Sequence, residues 1–525
     1  MIFGSSFPSI DVPDATLADF VLHDALARGD RPALIDGPSG RTVTYGQLAG
    51  MTRAIAAGLA ARGFGRGDVF AIFSPNLPEY AAAFHGVAAA GGASTTINSL
   101  ASVEDIVTQL RATHARFLLT VGPFLDRAIP AAAEAGVEEV FVLGEAAGEA
   151  TPFPALMGDP AQAPSLDLDP ADTVVAMPMS SGTTGFPKVV QLTHRNLVAN
   201  VIQSSAAIQL EERDVMIGIL PFFHVYGLTV LMNLALWRGT TVVTMPRFEL
   251  DEFLRLMQDH GVTYGCLVPP IVLALAKHPA VEKYDLSALE FVISGAAPLD
   301  ASVGQIAAAR LGCTVLQGYG LTETSPVLSA PVRDPAMGRP ASTGMILPDT
   351  EIRVVSLEEG AEDPTPGEDG EIWARGPQVM KGYLDDPGAN AWIFPGDDWL
   401  RTGDIGHCDD EGYLYVVDRL KELIKYRGFQ VAPAELEALL LQHPDVVDAA
   451  VVPAPDPNAG EVPKAFVVKA EGAEITEGQL MSYVSEHVPP NKKVRRVEFI
   501  DEIPRSLSGK ILRRVLVERE RAGRA

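Results

Sequence analysis

The sequence predicts an α/β fold: a large N-terminal domain of helix-covered, mostly parallel sheets, followed by a small α+β unit. Three observations carry this expectation. Amphipathic helical stretches alternate with short apolar runs between Thr44 and Leu143, the rhythm of strands buried by their crossover helices. Small-residue turns follow apolar runs, as where Phe291 to Ile293 leads into Ser294-Gly295-Ala296-Ala297-Pro298. The chain is also long: 525 residues exceed one ordinary core and imply two or more domains.

In order along the chain, Thr44-Tyr45-Gly46-Gln47 has capping-box spacing, and Leu48, Met51, Ile55 and Leu59 recur on one helical face until Gly63. Val69 to Phe73 reads as a buried strand. The rhythm continues with a helix at Ser102 to Leu110, a strand at Phe117 to Val121, a helix at Leu125 to Ala135 and a strand at Val140 to Leu143. Ala146 to Asp172, rich in Ala, Pro, Gly and Asp, reads as a surface connection. In the tail, Glu435 to Gln442 and Thr476 to Val488 read as helices, the second with a Thr-x-x-Gln cap. Asp448 to Val452 and Ala465 to Val468 read as strands.

The chemistry is concentrated in a few stretches, the first between the apolar run Thr173 to Met177 and a helix beginning near Thr193. It reads Ser180-Ser181-Gly182-Thr183-Thr184-Gly185-Phe186-Pro187-Lys188. Glycines let the backbone approach an anion, hydroxyls and free N–H groups can ligate phosphate oxygens, and Lys188 supplies a positive charge. The Walker A spacing fails, because Phe186-Pro187 separates Gly185 from the lysine. The plain alternative is a Ser/Thr/Gly linker.

Downstream, Leu220 to Gly227 places His224 among aromatic residues, where a satisfied core histidine is the ordinary expectation. Ser294 to Pro298 and Gln317-Gly318-Tyr319-Gly320-Leu321-Thr322-Glu323 look like strand-to-turn junctions with room for a flat ligand. Glu323 has the chemistry to ligate Mg²⁺ beside substrate phosphates, or to be a solvated glutamate at a helix start. Thr402-Gly403-Asp404, Asp418 to Lys425 and Pro504-Arg505-Ser506-Leu507-Ser508-Gly509-Lys510 add further polar groups in compact segments. Lys492, Lys493, Arg495 and Arg496 read as a solvated basic face.

Composition excludes several classes. A formal net charge of −26 argues against a nucleic-acid partner or an anionic membrane surface, so a nucleotide must be captured by local cations. Cys266, Cys313 and Cys408 lie far apart without metal-ligand spacing and are expected to pack in a reducing compartment. The start of the chain lacks a basic n-region, no apolar run reaches about 18 residues, and the chain ends Ala-Gly-Arg-Ala rather than in a peroxisomal tripeptide. A cytoplasmic protein without a membrane span is expected.

Taken together, Ser180 to Lys188, the His224 block, Ser294 to Pro298, Tyr319 to Glu323, Thr402 to Asp404, Asp418 to Gln430 and the turn ending in Lys510 resemble the ordered motif set of the adenylate-forming superfamily of acyl-CoA synthetases, luciferases and peptide-synthetase adenylation domains. The resemblance spans nearly the whole chain. DRLKELIKYRGFQVAPAELE at Asp418 to Glu437 and VPPIVLALAKHP at Val268 to Pro279 are most similar to the 4-coumarate–CoA ligase branch. One departure is Val189, where the family usually has glycine after the loop lysine.

The resemblance implies an N-terminal domain, 1–419, with the acid and ATP sites, and a mobile C-terminal domain, 420–525. It implies ATP, Mg²⁺ and coenzyme A, with a cinnamate-like carboxylic acid as substrate. Ser180, Ser181, Gly182, Thr183, Thr184, Gly185 and Lys188 would hold the β- and γ-phosphates, Thr322 the α-phosphate, and Glu323 with Thr184 the magnesium. Asp404 and Arg419 would bind the ribose, while Ser294, Gly295, Ala296, Ala297, Pro298, Gln317, Gly318, Tyr319 and Gly320 surround adenine. Lys510 would stabilise the adenylation transition state. Lys421 matches the hinge, Lys425 and Gln430 face the adenylate in a second pose, and His224 matches the gate to the thiol tunnel. Val225, Tyr226, Gly295, Gly320, Pro326 and Val327 would line the acyl pocket, with Val230 and Ile293 where plant relatives carry Ser and Lys toward a ring hydroxyl. Alternatives are a medium-chain fatty acyl-CoA ligase, a luciferase-like oxygenase, and a non-catalytic protein binding nucleotide or acyl-adenylate.

Overall fold

A computed structural model describes residues 1–145, 148–180, 187–358, 360–427, 429–507 and 509–522. The periodicities give the elements they imply. Thr44 caps the helix Tyr45–Ala61 through a capping box with Gln47, Val69–Phe73 is a fully buried strand, and the helix Leu125–Ala135 has the expected bounds. The helix Val103–Thr113 runs one turn beyond the expected end, to a left-handed cap at His114.

Two large sheets with mainly parallel strands form the scaffold. In one, Val69–Phe73 pairs in parallel with Ala93–Thr96 and Ala115–Val121. In the other, Val215–Gly218, Tyr264–Leu267, Phe291–Ser294 and Thr314–Gln317 run side by side in parallel. Both sheets feed one extended core containing Tyr45, Phe70, Phe84, Phe222 and Tyr264. A five-stranded antiparallel sheet, including Gly370–Arg375, Leu400–Cys408 and Leu414–Arg419, adds a layer that helix–strand alternation did not suggest. Among the described residues no helix is long and apolar enough to cross a membrane.

The tail builds its own sheet and core. Val446–Asp456 and Gly460–Lys469 form a long antiparallel pair, more than twice the expected strand lengths. The helices Pro433–Leu441 and Glu477–His487 pack Leu436, Leu440, Leu480 and Val484 against it. Of the basic residues here, Lys492 pairs with Glu435 and Arg496 with Glu520.

One local expectation needs correction and another holds. The 146–172 connection is partly docked: Phe153 and Leu156 are buried, and a Cβ on Gly58 would lie 1.7 Å from the Leu156 carbonyl oxygen, so glycine there admits the crossing backbone. The segment ending in Lys188 leads to a helix beginning where the sequence places it, near Thr193. Lys188–Thr193 is a strand, antiparallel to Met179–Ser180, and only then does Thr193 cap the helix His194–Ile208.

That hairpin explains Val189. It pairs with Met179, has no left-handed backbone, and is 5% exposed, so a β-branched residue suits the position. Val189→Gly should lower stability by about 2 kcal/mol, the worth of a buried valine side chain, and, since the phosphate contacts that the resemblance implies precede it in the chain, shift the KM for ATP by less than about tenfold. A melting curve and an ATP titration check both.

Candidate active site

The site lies at the carboxyl ends of the parallel strands, where a doubly wound sheet leaves room for ligands. Phe291–Ser294 and Thr314–Gln317 end in register, Ser294 opposite Gln317, and the chain then turns through Gly295 and Gly318. The Gly318 N–H donates to the Ser294 carbonyl at 2.9 Å. Ala296 takes φ 69°, a strained conformation for a residue with a Cβ and one that proteins keep mainly at functional turns.

Between these turns and the helical segment Tyr226–Leu234 lies a cavity of about 540 Å³, including its mouth. His224, Thr322 and Lys510 line it with Gly295, Ala296, Gly318, Tyr319 and Gly320. Tyr226, Val230, Ile293, Pro326 and Val327 form an apolar side. Val225 does not line the cavity; it is 1% exposed and packs in the core. Ala297 and Pro298 lie beyond the lining, and Gln317 is committed elsewhere: its Oε1 accepts the Leu299 N–H at 2.7 Å and its Nε2 donates to the Pro340 carbonyl. The Ser294 hydroxyl is buried and has no hydrogen-bond partner among the described residues.

His224 is not a core histidine. Its Nδ1 accepts the Tyr226 N–H at 3.3 Å, which places a proton on Nε2 of the neutral ring. Burial, with the Lys510 charge nearby, lowers its pKa to about 3, so it faces the cavity uncharged. The Tyr226 hydroxyl donates to the Ile293 carbonyl at 3.2 Å.

Two carboxylates organise the polar end. Glu323 is 4% exposed, and its Oε1 accepts hydrogen bonds from Ser180 Oγ at 2.7 Å and the Tyr383 hydroxyl at 2.9 Å. It is therefore a fixed buried acid, not a solvated glutamate. Lys188 packs its ammonium over the Tyr383 ring, 5.7 Å from the centroid. Asp404, 2% exposed, accepts from the Tyr319 hydroxyl at 2.6 Å and lies 3.0 Å from Arg419 Nε. Thr402 orients it by accepting the Asp404 N–H while donating to the Ile372 carbonyl.

Not every expected residue is at the cavity. Lys425 and Gln430 face each other across an exposed hairpin and are absent from the lining. Lys421 belongs to the short helix Leu420–Glu422 and is exposed. Ser181, Gly182, Thr183, Thr184 and Gly185 lie outside the described residues. Tyr383, Ile208 and Ala330 were missed by sequence reasoning. Nothing local distinguishes them, because each joins the site only through packing of distant segments.

Charge, cavity and fixed donors together suit an anionic nucleotide at one end and an apolar group at the other. Glu323 fits a magnesium ion, which takes one or two carboxylates beside substrate phosphates. Among the described residues no cluster of three or more His, Cys, Asp or Glu could hold a metal by itself.

Residues 22–384 match the AMP-binding enzyme family, and residues 435–510 match the AMP-binding enzyme C-terminal domain. The chain is 42% identical over 537 residues to 4-coumarate–CoA ligase 1 of Petroselinum crispum, covering 100% of this chain and 97% of that one. It is 41% identical over 534 residues to 4-coumarate–CoA ligase of Vanilla planifolia, covering 98% and 96%. Among solved structures, ATP-bound MatB from Rhodopseudomonas palustris superposes with a TM-score of 0.84 at 28% identity, over 96% of this chain and 99% of that one. The anthranilate CoA ligase AuaEII with anthranoyl-AMP gives 0.89 at 23% identity, over 98% and 99%, a likeness of fold.

Proposed function

Because the chain belongs to the AMP-binding enzyme family, we propose that its cavity activates a cinnamate-like acid and that the residues around it divide the work of two half-reactions. The chain is an AMP-forming acid–CoA ligase. A carboxylate has no good leaving group, so its oxygen first attacks the α-phosphorus of ATP, the bond to pyrophosphate breaks, and acyl-AMP forms. The CoA thiol then attacks the acyl carbon, loses its proton, and expels AMP.

In the first half, negative charge gathers at the α-phosphate, and fixed cations and donors are the means of stabilising it. Lys510 and Thr322 take this role; Lys188 and the loop at 180–185 hold the outer phosphates. Glu323 would hold magnesium, which supplies charge neutralisation on the phosphate oxygens. Asp404 and Arg419 hold the ribose, and Gly295, Ala296 and Tyr319 flank adenine.

In the second half the 420–525 domain turns about Lys421, withdrawing Lys510 and bringing Lys425 and Gln430 to the adenylate. Their exposure in the present arrangement supports this reading. His224 gates the path of the thiol, itself a few per cent thiolate near neutral pH at a pKa of about 8.5. Unpaired cysteines support a cytoplasmic location.

The observation that carries the choice of acid is the apolar lining at Val230 and Ile293. A phenolic hydroxyl buried there finds no side-chain partner from either residue and loses about 1–3 kcal/mol. Cinnamate should therefore be used at least as efficiently as 4-coumarate, and caffeate less well. CoA-dependent AMP release from cinnamate, 4-coumarate, caffeate and octanoate tests this. A strong preference for caffeate refutes the pocket argument, and a strong preference for octanoate favours the fatty-acid reading, which the same apolar lining also supports.

A further inference from the structure

The acyl side of the cavity has a far end whose position can be read from the elements that flank it. The helix His194–Ile208 runs alongside the strand Val327–Ala330. At one level the Asn200 side chain exchanges two hydrogen bonds with the Val327 backbone, 2.8 Å to its carbonyl and 3.0 Å from its N–H. Further on, the Arg333 N–H donates to the Ala207 carbonyl at 3.3 Å. From Asn200 to Ile208 the helix advances about 12 Å, and from Val327 to Ala330 the strand advances about 10 Å. The cavity follows them: Pro326 and Val327 line it near Thr322, and Ile208 and Ala330 line it at the distant end.

Of the two residues that line that end, Ile208 has the larger side chain. Its side chain is 2% exposed, yet Gln209, the next residue, is exposed and caps the helix at φ 52°. The backbone there is braced. Arg333 Nη1 donates to the Gln209 carbonyl at 3.3 Å, and the guanidinium is held by fully buried Asp214 at 2.6 and 2.9 Å and by Glu290 at 2.7 Å. A cation at a helix C-terminus is favourable, and paired in this way it keeps the end wall from drifting.

Resting on the reading of this cavity as the acyl pocket, we infer that Ile208 is the stop that sets how long an acid the enzyme accepts, with Ala330 completing the wall. Shortening the side chain at 208 lengthens the slot toward the surface without disturbing the polar end. Enlarging it shortens the slot. One methylene-sized mismatch in an apolar pocket changes kcat/KM by about 10–200-fold.

The test compares acids within one preparation, because a ratio of kcat/KM values does not depend on how much of the protein is folded. In Ile208→Ala the ratio for 4-propylcinnamate over cinnamate should rise by about tenfold or more, chiefly through KM. In Ile208→Phe the ratio for cinnamate over butanoate should fall by a similar factor. Both ratios staying within about twofold of the parent overturn the inference while leaving the ligase activity standing. A parent enzyme that releases no AMP from any of these acids overturns the acyl-pocket reading, and the inference with it.

Discussion

Lys510→Ala should slow acyl-adenylate formation by about 10²–10³-fold, the usual cost of one electrostatic stabiliser, while acyl-adenylate supplied to the enzyme is still converted to thioester. Lys510 lines the cavity with His224 and Thr322, and its turn is tightly held. The Ser506 N–H donates to the Lys510 carbonyl at 2.9 Å, and Arg505, paired with Asp448, donates to the Gly509 carbonyl at 3.0 Å. Gly509 takes φ 77°, and a Cβ there would lie 3.0 Å from the Val268 side chain, so the turn fits closely against the larger domain.

The same residue should shape the pH profile. Burial, with Arg419 nearby, lowers the Lys510 pKa to about 8. The cation is present below that pH and lost above it, so kcat/KM for adenylation should fall as pH rises through about 8. Lys510→Ala should lack this falling limb, because the profile reports groups of the free enzyme. Lys421→Pro should give the mirror image: proline fixes φ at the proposed hinge, so adenylation should persist while thioester formation drops. Pyrophosphate release and single-turnover thioester formation measure the halves separately. Equal loss of both halves in both variants would sink the rotating-domain reading.

Gly320→Ala should be nearly inactive. A Cβ at this position would stand 1.9 Å from the Pro326 carbonyl oxygen and 2.7 Å from its carbon. Those are backbone atoms of the segment leading into Val327–Ala330, to which Gly320 is paired, so no side chain can swing aside. The strands must separate. Overpacking of this kind costs about 1–3 kcal/mol of stability, and displacing Pro326 and Val327 by an ångström costs about 10²-fold in kcat/KM. A loss of less than about tenfold in kcat/KM would show that the backbone crossing does not position the acid.

Part of this molecule was legible residue by residue. Thr44, Ser102, Thr193 and Thr476 all cap helices through side-chain bonds to residues three positions on, and such short-range signals survive in a linear chain. The order of the polar motifs likewise placed Glu323, Asp404 and Lys510 among the groups of interest. The solvated-glutamate alternative for Glu323 failed for a reason no short segment could contain: Ser180 and Tyr383, which donate to it, lie 143 and 60 residues away. Tyr319 meets Asp404 across 85 residues.

Local pattern also misjudged what surrounds the site. Val225 follows His224 directly, yet the backbone turns its side chain into the core, whereas Ile208, in an ordinary apolar helix, reaches the cavity. The antiparallel sheet carrying Asp404 and Arg419 was missed: the strands bearing them form a hairpin, but the rest of the sheet, Gly370–Arg375, Glu351–Val355 and Ile2–Gly4, joins it across longer connections. The sequence by itself determined the helices and their caps, the two-part organisation and the list of polar groups, since these rest on bonds between near neighbours. The tertiary structure alone decided which of those groups converge on the cavity and which side chains line it, because convergence depends on the packing of distant strands and helices against one another.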